Sequence, residues 1–177
     1  MYKVLTVLIT FLLLPSILPA PPAKSVDDWG PGVFLMGQWE GEGGGLAGQG
    51  TGEFAFYFDL DGKVMVRKNR ADYPATKDRP AFSHEDLMVI YSEPNGAGTR
   101  RTIYFDNEGH VIEYAVEFSA ERGTFTFVSE VVASAPRYRL TYTKGETDQV
   151  SVKFEVAPPG KPDAFSTYVE AVAHRKS

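Results

Sequence analysis

Residues 99–118 read TRRTIYFDNEGHVIEYAVEF, two runs rich in β-branched and aromatic residues on either side of the turn-forming sequence Asp106-Asn107-Glu108-Gly109. In the second run, the residues from Val111 to Phe118 alternate between two faces with a period of two, which is typical of a half-buried strand. Its inner face is predicted to carry Ile112, Tyr114, Val116 and Phe118. Other large residues expected to point inward are Phe54, Phe56, Phe58, Ile103 and Phe105. A turn of this composition between two such runs predicts a β-hairpin. This stretch therefore indicates an antiparallel sheet.

The same pattern of short strand and polar turn extends in both directions along the chain. It predicts about ten strands, at 34–42, 50–59, 63–73, 84–91, 99–105, 110–118, 124–131, 138–144, 149–157 and 165–174. Only a short helical turn is expected, over 27–35, so no crossover helices are available and the sheet must be antiparallel. A meander of ten strands leaves two edges open unless its first strand pairs with its last. An all-β fold is thus expected, and an antiparallel up-and-down β-barrel is favoured over a sandwich of two five-stranded sheets.

The composition is that of one globular domain with a proper core, because 43% of the 177 residues are hydrophobic. The chain contains no cysteine. Disulfides, thiolate metal sites and cysteine nucleophiles are therefore excluded. Stability must come from packing and hydrogen bonds.

The N-terminus predicts export. An apolar run over 4–14 follows Lys3 and is itself followed by a segment rich in proline and small residues, so 1–25 is predicted to be a signal peptide and 26–177 the mature domain, in the periplasm or outside the cell. The run is shorter than the about 20 apolar residues that a membrane span needs, although an uncleaved anchor is the alternative. Cleavage also removes Lys24 and leaves 16 basic against 23 acidic residues, a net charge of −7, which argues against nucleic acid as a partner.

The predicted strand 63–73 carries cations on both of its faces. Arg70 lies on one face, and Arg67 and Asn69 lie on the other, so a cation points into the barrel in either register. A buried cation needs an anion, and Glu85 or Asp86 of the next strand is a candidate for that role. The other candidate is a ligand. We expect Arg70, or Arg67 in the other register, to anchor an anionic group of a bound molecule.

Three further residues are candidates for the lining of a binding site. His84 shares a strand face with Asp86, His110 lies at the start of its strand or in the turn before it, and Tyr114 is predicted to face inward. His84 and Asp86 could also form an acid–base pair, but the sequence holds no recognisable catalytic motif, and no catalytic residue is assigned. A metal at this pair with His110 would be short of ligands, so no metal site is predicted.

Residues 34–43, FLMGQWEGEG, resemble the opening of lipocalin-like barrels, including bacterial proteins of unknown function and nitrobindin-like haem-binding barrels. The resemblance implies a barrel that binds a small apolar or amphipathic molecule, with Trp39 plugging its closed end. It also allows haem as a cofactor, although no cofactor is firmly implied. His174 is the positional analogue of the haem ligand in the nitrobindin-like proteins.

Three functions therefore stay open. The first is an exported carrier or sensor of a small hydrophobic or amphipathic ligand, since an aromatic interior with an inward cation suits such a site. The second is a packed envelope module for interaction or structure, without a ligand. The third is an enzyme that uses His84 and Asp86. The sequence does not indicate an oligomeric state.

Overall fold

The computed structural model describes residues 26–93 and 98–177. The predicted signal peptide lies outside these described residues, and so does the sequence Pro94-Asn95-Gly96, which predicts a turn between the strands 84–91 and 99–105. Within the described part of the chain, no helix is long and apolar enough to cross a membrane.

Ten antiparallel strands form one closed barrel, which confirms the fold predicted from the sequence. Each strand pairs with its neighbours in the chain, and β1 pairs with β10 from Trp39 opposite Arg175 to Gly45 opposite Val169. No strand edge is left open among the described strands. The elements are a 3₁₀ segment at Val26–Leu35, followed by β1 (Gly37–Gly45), β2 (Gly50–Asp59), β3 (Val64–Tyr73), β4 (Phe82–Ser92), β5 (Arg100–Asp106), β6 (Val111–Ser119), β7 (Thr124–Ser129), β8 (Arg137–Lys144), β9 (Gln149–Ala157) and β10 (Ser166–Arg175).

The first strand begins later than predicted. Phe34 and Leu35 belong to the 3₁₀ segment, and β1 starts at Gly37, whose φ of 110° is one that residues with a side chain rarely adopt. The buried indole of Trp39 donates a hydrogen bond from Nε1 to the Leu35 carbonyl, at 2.8 Å. Trp29 donates in the same way to a carbonyl of the β2–β3 turn. The 3₁₀ segment is thereby fixed to one end of the barrel and closes it.

An aromatic core fills the half of the barrel next to this closed end. Its rings meet edge-to-face or tilted, as between Phe56 and Tyr142 at 5.3 Å and between Phe125 and Phe127 at 4.9 Å, the arrangements that aromatic pairs prefer. Met65 is fully buried among them. This half of the barrel is packed, so any ligand site must lie towards the other end.

Strand β5 presents the face opposite to the one that its apolar residues suggest. The sequence led us to place Ile103 and Phe105 inside, but Phe105 is 41% exposed and Thr102 is fully buried. The register gives the reason, because Tyr104 of β5 lies directly opposite Met88 of β4, and Met88 is fully buried. Directly paired residues share a face of the sheet, so Tyr104 points inward with Met88.

Candidate functional site

A cavity of about 450 Å³ occupies the half of the barrel away from the 3₁₀ segment. Its volume is within the range usual for small-molecule sites, about 300–1,000 Å³. Ala47 of the β1–β2 turn and Glu108 of the β5–β6 turn both line it. These turns lie at the end opposite the β2–β3 turn, because successive turns of a meander alternate between the two ends. The cavity therefore has its mouth at the end that the 3₁₀ segment leaves free.

Small residues make up much of one wall of the cavity. They come from β10, β1, β2 and β3, and include Gly41, Gly43, Ala71 and Ala171. The glycines are required by the close approach of β1 to β10, because a Cβ at Gly41 would lie 2.1 Å from the Val172 carbonyl oxygen. The small size of these residues leaves the space that the cavity occupies.

The rest of the wall carries larger side chains, both aromatic and polar, mainly from β3 to β9 and from the start of β10. Tyr138 stacks on Phe154, with ring centroids 5.9 Å apart, and Tyr168 meets Phe154 edge-on. Tyr104 and Tyr114 form a second edge-on pair deeper in the barrel. Because these aromatic rings surround a polar group on β4, the lining suits a molecule with a large apolar part.

A buried ion pair lies at the inner end of this polar group. The Arg67 guanidinium on β3 is bonded to Asp86 Oδ1 on β4, with only 6% and 4% of the two side chains exposed. Asn69 donates a hydrogen bond to the other oxygen, Asp86 Oδ2, at 2.9 Å. Burial acts to lower the pKa of Arg67, but Asp86 together with Tyr142 and Tyr104 outweighs it, and the net effect raises that pKa. Arg67 is therefore charged and already neutralised by a protein carboxylate.

Aromatic rings cover the remaining surface of this guanidinium. Arg67 Cζ lies 6.0 Å from the centroid of Phe54 and 5.8 Å from that of Tyr142. The positive charge of Arg67 acts on the Tyr142 hydroxyl, but among the described atoms no hydrogen bond of ordinary geometry joins the two side chains. The cation is thus enclosed by apolar side chains and Asp86, and only part of it borders the cavity.

His84 connects the ion pair to the cavity mouth. Its Nδ1 lies 3.1 Å from a Glu108 oxygen, its Nε2 lies 3.0 Å from the Tyr104 hydroxyl, and the same Nε2 is 3.5 Å from Asp86 Oδ2. The interaction with Asp86, helped by Glu108 and opposed by burial, raises the pKa of His84 above its ordinary value. Because the Glu108 carboxylate can only accept a hydrogen bond, Nδ1 of His84 carries a proton whether the imidazole is neutral or positively charged.

A second carboxylate, Asp106, is held at the end of β5. Its Oδ2 accepts from the Tyr104 hydroxyl at 3.1 Å and from His110 Nδ1 at 2.8 Å, while its Oδ1 accepts from the backbone N–H groups of Glu108 and His110. Burial acts to raise the pKa of Asp106, but these hydrogen bonds outweigh it and lower that pKa. Both oxygens of Asp106 are therefore fully used within the protein.

Tyr114 differs from its polar neighbours. It is 98% buried and lines the cavity, yet its hydroxyl has no hydrogen-bond partner among the described residues. Burial, with a smaller contribution from Asp86, raises the pKa of Tyr114 well above its ordinary value, so the hydroxyl keeps its proton. Tyr114 thus offers an unused donor and acceptor to the cavity.

The structure brings five of the six predicted site residues into this cavity. The five are Arg67, His84, Asp86, His110 and Tyr114. Arg70 is placed elsewhere, on the outside of β3, where it is paired with Asp72 and Glu85 and is 45% exposed. Of the two registers left open by the sequence, the one that turns Arg67 inward is observed. Arg70 therefore cannot contact a ligand in the barrel.

Sequence reasoning missed Asn69, Tyr104 and Asp106. Asn69 was placed on the same face as Arg67 but was given no role, and the two β5 residues were missed because Ile103 and Phe105 were expected to point inward. A usable signal was present in the β5–β6 hairpin. Tyr104 lies opposite Ile112 there, and Ile112 had been assigned to the inner face.

The histidine that the haem resemblance suggests does not fit a haem inside the barrel. His174 is exposed on the outer face of β10, since its neighbour Ala173 is the residue that faces the cavity and is buried. Haem in the cavity would therefore need a different axial ligand. In residues 26–93 and 98–177, no group of three or more acidic or histidine side chains is placed to hold a metal ion.

Comparisons with known proteins support the fold alone. No family model matches the chain, and no curated protein matches it significantly. The solved structure of Rv2717c from M. tuberculosis is similar, with a TM-score of 0.60 and 15% sequence identity over 89% of this chain and 99% of that one. At this identity the likeness shows that both chains share a barrel architecture.

Proposed function

We propose that this protein binds a small apolar or amphipathic molecule inside its barrel. The observation that carries the proposal is the cavity of about 450 Å³, which has an aromatic lining and a few polar groups on one side. These are the usual features of a small-molecule site. A purely structural barrel of this size has no need of a wall built largely of glycine and alanine, and the closed half of this barrel shows that the interior can be filled by aromatic side chains.

The proposal does not include an anionic ligand. The sequence suggested one because an inward cation needs a partner, but Asp86 of the neighbouring strand is that partner. An anion placed beside the pair would find the positive charge already neutralised. It would also lie near Glu108 and Asp106, whose charges repel it.

Filling the cavity tests the proposal directly. Ala171 of β10 lines the cavity, whereas Val172, its neighbour on the same strand, is 41% exposed on the outer face. Ala171→Phe places a ring in the cavity, and Val172→Phe adds a ring of the same size outside. We expect the neutral fluorescent probe N-phenyl-1-naphthylamine to bind the native protein and the Val172→Phe variant, and to bind Ala171→Phe at least about tenfold more weakly.

Circular dichroism and thermal unfolding establish that both variants are folded. Equal binding to the two variants would place the probe outside the barrel and refute the proposal. Native mass spectrometry of protein purified without refolding then gives the mass of any molecule that occupies the cavity.

We also propose that 1–25 directs export and is removed. The support is the sequence alone, a basic start, an apolar run and a small-residue segment. The intact mass of a C-terminally tagged protein recovered outside the cytoplasm tests it. The expected product begins at Val26, and a full-length product would favour the anchor alternative.

A further inference from the structure

We propose that the polar end of the bound molecule is an uncharged oxygen, a carbonyl or a hydroxyl, hydrogen-bonded by Tyr114. This inference rests on the proposed ligand-binding function and names the chemistry that the same cavity selects.

The charged groups deep in the cavity are already paired or hydrogen-bonded within the protein. The two oxygens of Asp86 are taken by Arg67 and Asn69, and those of Asp106 by Tyr104, His110 and backbone N–H groups. A ligand carboxylate would find no free cation at this depth, and a ligand ammonium would find no free carboxylate. Burial of a charged group without a partner is strongly unfavourable, so both kinds of ligand are selected against.

A hydroxyl deep in the cavity is left unused. The Tyr114 side chain is 98% buried and lines the cavity, and its hydroxyl has no hydrogen-bond partner in the described part of the protein. Polar groups in a protein interior are nearly always hydrogen-bonded, so this hydroxyl is available to a partner inside the cavity. A phenol that stays protonated is well suited to donate to a neutral acceptor, and a ligand oxygen would satisfy it.

The neighbouring side chains restrict what reaches Tyr114. Tyr104 meets it edge-on at 6.1 Å, and Leu140 of β8 is buried beside the cavity. The glycines of β1 face this region from across the barrel, because β1 and β6 are on opposite sides of a ten-stranded ring. A molecule that reaches Tyr114 therefore lies with its apolar part between a smooth wall and an aromatic one.

Four ligands of equal chain length distinguish a neutral polar end from a charged one, each measured by displacement of N-phenyl-1-naphthylamine. They are 1-dodecanol, 2-dodecanone, dodecanoate and dodecylammonium. We expect the alcohol and the ketone to displace the probe, and the two charged ligands to bind more than about tenfold more weakly. Tyr114→Phe removes one hydroxyl and keeps the ring, so it should weaken the alcohol and the ketone about threefold to tenfold, with the affinity for the probe unchanged.

Tyr57→Phe is the matched control, because Tyr57 lies on the outer face of β2 between the inward Phe56 and Phe58. It should change no affinity. If dodecanoate or dodecylammonium binds as tightly as dodecanol, or if Tyr114→Phe binds dodecanone like the native protein, the inference is overturned while the ligand-binding function stands. If the probe and all four ligands fail to bind the native protein, both the function and the inference are overturned.

Discussion

The buried pair of Arg67 and Asp86 leads to a prediction about stability that its two single variants and its double variant test together. Each side chain is almost completely buried, with 6% and 4% exposed. Removing one partner leaves the other charge buried without compensation, a situation that costs about 3–5 kcal/mol. We therefore expect Arg67→Met and Asp86→Leu each to lower the free energy of unfolding by this amount.

The double variant should be more stable than either single variant. Methionine and leucine place apolar atoms where Phe54 and Tyr142 surround the guanidinium, and replacement of a buried ion pair by apolar residues is often close to neutral. The amide of Asn69 loses its acceptor in the double variant, which costs about 1–3 kcal/mol. The sum of the single effects is about 6–10 kcal/mol, so the two positions should be coupled by at least about 3 kcal/mol.

Urea unfolding at pH 7, followed by circular dichroism and by tryptophan fluorescence, measures these differences. The control is the pair formed by Arg70 and Glu85, which joins the same two strands on the outer face, with side chains 45% and 52% exposed. Its single and double variants should stay close to the native protein. The reasoning is refuted if the loss in the inner double variant equals the sum of the losses in its two single variants.

Two other predictions concern the cavity mouth. Nuclear magnetic resonance should give His84 a pKa above the peptide value of about 6.5, and Glu108→Gln should lower the pKa of His84. An unshifted His84 pKa in the native protein would contradict the contacts with Asp86 and Glu108. Because the folded pKa is the higher one, the stabilisation from His84 is complete below about pH 6.5 and is lost as pH rises through that pKa. Arg79 in the β3–β4 loop donates from Nη2 to the Ala47 carbonyl of the β1–β2 turn at 2.6 Å, and this bond joins two loops at the cavity mouth. Arg79→Ala should therefore speed release of N-phenyl-1-naphthylamine in stopped flow, whereas Lys77→Ala, at an exposed position of the same loop, should not. Equal release rates in the two variants would show that this bond does not control release.

The fold could be predicted because its signals are local. Alternation within the second half of 99–118 and the turn before it define a hairpin without knowledge of the rest of the chain. Closure followed from a general constraint, the cost of open sheet edges, and it is observed as the pairing of β1 with β10. The start of β1 was misplaced because Phe34 and Leu35 are apolar in either setting, a strand or a 3₁₀ segment that covers the end of the barrel.

The choice between Arg67 and Arg70 required a register, and strand β3 alone does not supply one. Both faces of β3 carry a cation, so the alternation of its side chains does not show which face points into the barrel. The β2–β3 hairpin does supply the register, since Phe56 lies directly opposite Arg67. Phe56 had been assigned to the inner face, and cross-strand partners share a face. Assignment strand by strand missed what assignment hairpin by hairpin would have found.

The partner of Arg67 shows where sequence reasoning reached its limit. The sequence offered Glu85, Asp86 or a ligand anion, and these options lead to different ligands. Only the register between β3 and β4, which places Asn69 opposite Asp86, shows that the protein provides the anion itself. The expected ligand changes with that one contact, from an anion held by arginine to an uncharged molecule.

The size of the cavity and its choice of polar group depend on different residues. The glycines and alanines of β10, β1, β2 and β3 determine how much space is left. Tyr114 and the balanced charges of β3 to β6 determine which polar group is accepted in that space. Ala171→Phe should therefore weaken all ligands alike, whereas Tyr114→Phe should weaken only those that present an oxygen to it. If Tyr114→Phe instead weakened the apolar probe as strongly as dodecanone, the Tyr114 hydroxyl would not be the group that selects the polar end of the ligand.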